Sequence, residues 1–136
     1  MKIPRAYNSR QAEITALYLE VMNKHLDDFM AGRVEEMAHL KDIARDMFLH
    51  PVHVSNVIKS YTGHHPCYFY ERRILEEAKK LLADQRLSIN DVAMRLTYDK
   101  SNFTKFFKQY EGITPSAYRE RLLSLNGGAV HMSDAS

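Results

Sequence analysis

Several things are missing from this chain, and each absence narrows the reading. There is one cysteine, Cys67, so no internal disulfide can form, which suits a reducing cytosol. No run is long and apolar enough to cross a membrane. The opening MKIPRAYNSR lacks the apolar stretch of a secretory signal. There is no Gly-rich phosphate loop, no nucleophile elbow and no convincing acid–base pair. Neighbouring carboxylates such as Asp27–Asp28 and Glu76–Glu77 do not face each other on a helix. A large charge of either sign is also lacking, since the net is only +2.

The charge is nevertheless uneven. Residues 9–50 hold five Lys/Arg and eight Asp/Glu, whereas residues 51–121 hold twelve and eight. A basic half can serve a polyanion, although a solvated surface explains it equally well. With 136 residues and ordinary hydrophobic content, the chain suits one compact domain or two very small ones sharing a helix.

That shared helix is residues 68–82, YFYERRILEEAKKLL. Phe69, Ile74, Ala78, Leu81 and Leu82 recur at helical spacing, and neither Gly nor Pro interrupts them. It reads as a linker helix over 68–83, with a segment of similar design on either side. Ahead of it, residues 1–8 read as a flexible arm, and residues 9–39 as a long N-terminal helix followed by a polar connector. In that helix Ile14, Leu17, Val21, His25 and Phe29 make the main apolar stripe. Tyr18, Met22, Leu26 and Met30 widen it. Asn8 or Ser9 can cap its start and Gly32 can end it. A stripe wider than its own domain can cover would let this helix form a homodimer.

Residues 40–67 form the first unit. Leu40, Ile43, Ala44 and Met47 pattern a short helix, Phe48, Leu49 and His50 make a turn, and Pro51 opens a second helix over 51–61. Residues 84–124 repeat the design at a constant offset of 49 and add a last helix from Pro115, basic through Arg119 and Arg121. Ile89 answers Leu40, Ala93 answers Ala44, Phe107 answers Ile58, Gly112 answers Gly63 and Pro115 answers Pro66, with no gap. Asp99 can cap the second helix of this copy, residues 100–110. Residues 125–136, Gly/Ser-bearing and weakly hydrophobic, read as a disordered tail.

Two short helices joined by a three-residue turn make a helix-turn-helix, whose second helix lies in the DNA major groove. Its outward face should carry short polar and basic groups. In the first unit these are Val52, Ser55, Asn56 and Lys59; in the second, Lys100, Ser101, Thr104, Lys105 and Lys108. Asn56 can pair with adenine, Val52 can pack on a thymine methyl, and Lys105 can donate to guanine or phosphate. Ser55, Ser101 and Thr104 can bond bases or phosphates. Lys59 and Lys108, a turn farther on, with Arg119 and Arg121, are phosphate candidates. Each such face is also what a merely solvated helix would show. His50, His53, His64, His65 and Cys67 invite a metal, but the paired-ligand spacing of a zinc site is unmet.

With these motifs in place, the chain resembles the DNA-binding domain of AraC/XylS-type bacterial transcription regulators over residues 40–121. The carrying motifs are LKDIA at 40–44, VSNVIKSYTG at 54–63, PCYFYERRILEEAKKLL at 66–82 and SINDVAMRL at 88–96. The most specific lies within SNFTKFFKQYEGITPSAYR at 101–119, close to the signature F-K-x-Y-x-G-x-T-P-x-x-Y-R. The resemblance implies an all-α fold of two helix-turn-helix subdomains bridged by one helix. Their recognition helices are expected in successive major-groove segments about 34 Å apart. Carried over by position, the base-reading set is Val52, Ser55, Asn56, Lys100, Ser101, Thr104 and Lys105. Double-stranded DNA is the implied partner, with RNA polymerase beside it. The expected location is the cytoplasm, at the nucleoid, and no cofactor, metal or membrane is implied. Phe48 and Thr97 stand where the family usually has Gly, and the second turn, between Tyr98 and Lys100, looks about one residue short. There is no room here for a separate ligand-sensing domain, so the chain resembles the small stand-alone members or a piece of a longer one.

A different class of reading is a helical interaction module that kept this fold and lost DNA, favoured by the altered turns and the modest net charge. An enzyme is a distant third, because no constellation of residues supports one.

Overall fold

Seven α-helices and no strand make up the described residues of the computed structural model. It describes the backbone of residues 5–135 and the side chains of residues 10–125. The helices are α1 (Arg5–Met30), α2 (Leu40–Asp46), α3 (Pro51–Thr62), α4 (Pro66–Leu82), α5 (Ile89–Arg95), α6 (Lys100–Glu111) and α7 (Pro115–Ala135). The chain divides into two compact units, Met1–Arg73 and Ile74–Ser136. The helix α4 begins in one and ends in the other. No helix of the described residues is long and apolar enough to cross a membrane.

In the first unit α1 packs on α3 and α2. Its buried row is Ile14, Tyr18, Met22 and Leu26, each no more than 2% exposed. This corrects the expected stripe by about one position, for Leu17 is 38% exposed and Val21, His25 and Phe29 are half-buried. Both rows are apolar in sequence, and only the helix against which α1 packs selects between them. The selected row meets Ile43, Ala44 and Met47 of the α2 segment and Val54 and Ile58 of α3, all buried. It therefore closes within its own unit. The buried Tyr18 hydroxyl donates to the carbonyl of Pro66 at 3.1 Å. Burial, and the neighbouring Cys67 and Tyr70, push its pKa far up, so it is a permanent donor. Arg73 of α4 reaches back to α1, donating to Asn23 at 2.7 Å and Asp27 at 2.6 Å.

In the second unit the lower half of α4 contributes Ile74, Leu75, Ala78 and Leu82, and α5 contributes Val92 and Ala93, with Leu96 just beyond it. The core is aromatic where α6 faces α7. Phe103 and Phe107 are fully buried, with ring centroids 5.9 Å apart, and Tyr118 meets Phe107 at 5.3 Å. Lys79 and Glu111 tie α4 to α6 at 3.1 Å. The helix α7 continues to Ala135, where the sequence predicts disorder. No Pro interrupts it, and Gly127–Gly128 lowers helix propensity without forbidding the conformation. At the other end α1 starts at Arg5, ahead of the expected Ser9; residues 1–4 of the predicted arm lie outside the described residues.

The two turns correspond one to one. Residues 47–50 join α2 to α3 and residues 96–99 join α5 to α6, so relative to the first copy the second turn is not shortened. Phe48 has φ 61° and Thr97 has φ 65°, both left-handed. In each turn the amide three residues past the helix closes back on the buried alanine: Leu49 N on Ala44 O at 3.0 Å, Tyr98 N on Ala93 O at 2.9 Å. These bonds hold both residues in a conformation that costs an L side chain roughly 1–2 kcal/mol and glycine nothing. The Phe48 side chain is 93% exposed, so it gains no packing in return. Phe48→Gly should therefore stabilise the protein. After subtracting the larger unfolded-state entropy of Gly, the net gain is about 0.5–1 kcal/mol, measured as a higher urea midpoint. Thr97→Gly should act in the same direction.

Candidate nucleic-acid interface

Each second helix of the pair is held at both ends. Pro51 opens α3, and Val52 N–H donates to His50 Nδ1 at 3.1 Å. Asp99 caps α6, accepting from Asn102 N at 2.7 Å and from Asn102 Nδ2 at 2.8 Å. Both helices close on a left-handed glycine, Gly63 at φ 83° and Gly112 at φ 85°. Only Gly takes that conformation without strain, and the two amides donate to Lys59 O and Lys108 O at 2.8 Å. The first helices carry their own caps. Asp42 accepts from His39 N, and Asp91 accepts from Ser88 N, both at 2.9 Å. Those amide bonds hold both carboxyls below the usual range, so both caps outlast the pH at which a free aspartate protonates and are lost only as the pH falls through the lowered values.

With Val54 and Ile58 buried, α3 turns the opposite side outward. Val52 is 59% exposed, Asn56 and Lys59 are exposed, and Ser55 is half-buried. Spacings of three and four bring all four onto one face. With Phe103, Phe106 and Phe107 buried, α6 presents Lys100, Ser101, Lys105 and Lys108, all exposed, and a half-buried Thr104. The Thr104 hydroxyl donates to its own helix at Lys100 O, 2.8 Å away, which leaves it only acceptor capacity. The outward face of α6 carries three cations and that of α3 carries one.

Two basic candidates fare differently. Arg121 is exposed on α7. Arg119 is turned inward: its guanidinium donates to Leu82 O at 2.9 Å and Asp84 O at 3.2 Å. It satisfies carbonyls left open at the end of α4, which gives it a structural role. Beside α3 there is a shallow groove of about 360 Å³ between that helix and α1, lined by Arg10, Gln11, Ile14, His53, Asn56, Val57 and Ser60. Neither Arg10 nor His53 is among the residues that the sequence offers for DNA contact. His53 lies one helical step from Asn56, a spacing visible in sequence but read there only for metal. Among the described residues no three His, Cys, Asp or Glu side chains gather as a metal site needs.

A family model described as "Helix-turn-helix domain" matches residues 43–121. The HTH-type transcriptional activator AarP of Providencia stuartii is 27% identical over 119 residues, which are 87% of this chain and 85% of AarP. The chain belongs to the AraC-type family of helix-turn-helix transcription regulators. Another relative is the uncharacterized HTH-type transcriptional regulator YtdP of Bacillus subtilis (strain 168). It is 33% identical over 87 residues, which are 63% of this chain and only 11% of YtdP. Among solved structures, the DNA-binding domain of AdpA, a global transcriptional factor crystallised with a target DNA, superposes with a TM-score of 0.61. The match is 21% identical and covers 84% of this chain and 93% of that one. The family's all-α, two-motif fold is thus present with Phe48 and Thr97 in its turns.

Proposed function

We propose that this chain is a sequence-specific, double-stranded DNA-binding transcription regulator that reads two successive major-groove segments with α3 and α6. One observation carries it. The unit of helix, left-handed turn and capped helix occurs twice at an offset of 49, and each time the second helix buries its apolar stripe and turns a polar one outward. Val52, Ser55 and Asn56 read bases in one segment, and Lys100, Ser101, Thr104 and Lys105 read them in the next. Lys59, Lys108 and Arg121 hold phosphates. The site of action is the nucleoid in the cytoplasm, and RNA polymerase is the partner through which occupancy changes transcription.

Selection from a random duplex pool tests the proposal directly. A single preferred sequence should emerge, with affinity falling as salt rises. Asn56→Ala should then relax preference at one base pair by roughly 1–3 kcal/mol and leave the other positions unchanged. Equal losses on preferred and random DNA would remove Asn56 from the reading set. Binding that shows no dependence on salt would remove the proposal itself.

A further inference from the structure

The residues ahead of the helices divide by unit. In the first unit α2, α3 and α4 are preceded by His39, His50 and His65. At the 49-residue offset, α5, α6 and α7 are preceded by Ser88, Asp99 and Thr114. The second set caps with oxygen: Ser88 accepts from Asp91 N at 2.9 Å, Asp99 from Asn102 N at 2.7 Å, and Thr114 from Ala117 N at 3.1 Å. In the first set His39 makes no side-chain cap bond, and at the other two positions the acceptor is an imidazole nitrogen. Val52 N donates to His50 Nδ1 and Cys67 N donates to His65 Nδ1, both at 3.1 Å. A hydroxyl accepts at any ordinary pH. An imidazole nitrogen accepts only while the ring is neutral, and a ring changes charge between about pH 5 and 8.

We propose that His50 is a positioning residue of the first recognition helix whose cap is released by protonation, so that mild acid weakens base reading in the first segment and spares the second. This rests on the DNA reading above. The bond from Val52 N–H fixes the tautomer: Nδ1 carries the lone pair and Nε2 the hydrogen. A second proton must go to Nδ1, where it faces another N–H and adds a positive charge at the positive end of the helix dipole. Pro51 has no N–H, so the Val52 amide is the first donor of α3 that needs a partner. Val52 is itself a base-reading candidate, and losing the cap loosens the turn that carries it. Ionisable groups on the helices of this unit include Arg45 and Asp46 of α2, His53 of α3, and Arg10 and His25 of α1. Asp46 is held by His25 at 2.8 Å, and Asp42 is held by Arg45 at 3.2 Å. At the matching position of α6 the acceptor is a carboxylate oxygen of Asp99 rather than an imidazole nitrogen.

Protonating histidines also adds positive charge and tightens binding to any DNA. The test therefore reads discrimination between bases rather than affinity. In the free 136-residue chain, amide exchange at Val52, corrected for the intrinsic pH dependence, should lose about fivefold in protection from about pH 7.5 to about pH 5.5. Protection at Asn102 should not change. On DNA, discrimination at base pairs of the first segment should fall by the same factor, and discrimination in the second should hold. His50→Asn supplies a cap that does not titrate, so it should flatten both profiles while keeping discrimination; His50→Ala should be low at either pH. Unchanged protection at Val52, or a pH slope that survives in H50N, would overturn the proposal. If the protein bound no DNA, the exchange measurement would still decide the cap, and the failure would fall on the DNA reading alone.

Discussion

Phe107→Ala should cost about 3–5 kcal/mol, enough to bring the second unit close to unfolding. Phe107 is fully buried, and its ring lies 5.9 Å from Phe103 and 5.3 Å from Tyr118. Truncation removes the transfer free energy of a phenyl ring and leaves a hole that the two neighbouring rings can only partly fill. Loss of the aromatic pairs adds roughly 0.5–1.5 kcal/mol to the simple area term. The matching control is another phenylalanine. Phe48 is 93% exposed, so Phe48→Ala should stay within about 0.5 kcal/mol of the parent. Urea unfolding followed by tyrosine fluorescence or near-ultraviolet dichroism measures both. A Phe107→Ala cost below about 1 kcal/mol would mean that the aromatic cluster is not the core of this unit. Amide protection at Val54 and Ile58, in the other unit, shows whether the damage stays local.

How much of this was legible beforehand differs from residue to residue, and the differences have physical causes. The offset of 49 brought Ala44 onto Ala93 and Ile58 onto Phe107, and all four are fully buried. Periodicity registers such positions because burial acts on side-chain type, which the sequence states outright. The long first helix was harder. Its two apolar rows lie side by side, and only packing against α3 decides that Tyr18 goes inside while Leu17 stays out. The turns were legible as turns but not in their backbone. Glycine is the usual signal for a left-handed residue, and Phe48 and Thr97 carry none; the closing bonds to Ala44 and Ala93 impose the conformation. Arg119 looked like a surface cation because the distance from its guanidinium to two carbonyls of a different segment is not a property of sequence. The histidine caps are illegible in sequence for a related reason. Ser, Thr, Asp and Asn are the residues that announce a helix start, whereas His50 beside His53 suggests a metal.

The largest effect on binding should come from the α6 lysines. Lys100, Lys105 and Lys108 are all exposed on one helix, whereas α3 has only Lys59. If all three meet phosphate, the triple change to Ala removes three counterion-releasing contacts and lowers the slope of log affinity on log salt by about 2.7. With equal affinities extrapolated to about 1 M salt, that slope corresponds to a loss of about 500-fold at about 0.1 M; Lys59→Ala should lose about eightfold. Stability should barely move, because each side chain lies in water. The alternative role for Lys100 and Lys105 is donation to guanine, and it leaves a different trace. The slope would then change by only about 0.9, from Lys108, and preference in the second segment would collapse while the first kept its own. Titrations of parent, triple variant and K59A at several salt concentrations, on preferred and scrambled duplexes, separate the two. A slope identical to the parent's in every variant would leave the lysines as a solvated face and take DNA away from α6.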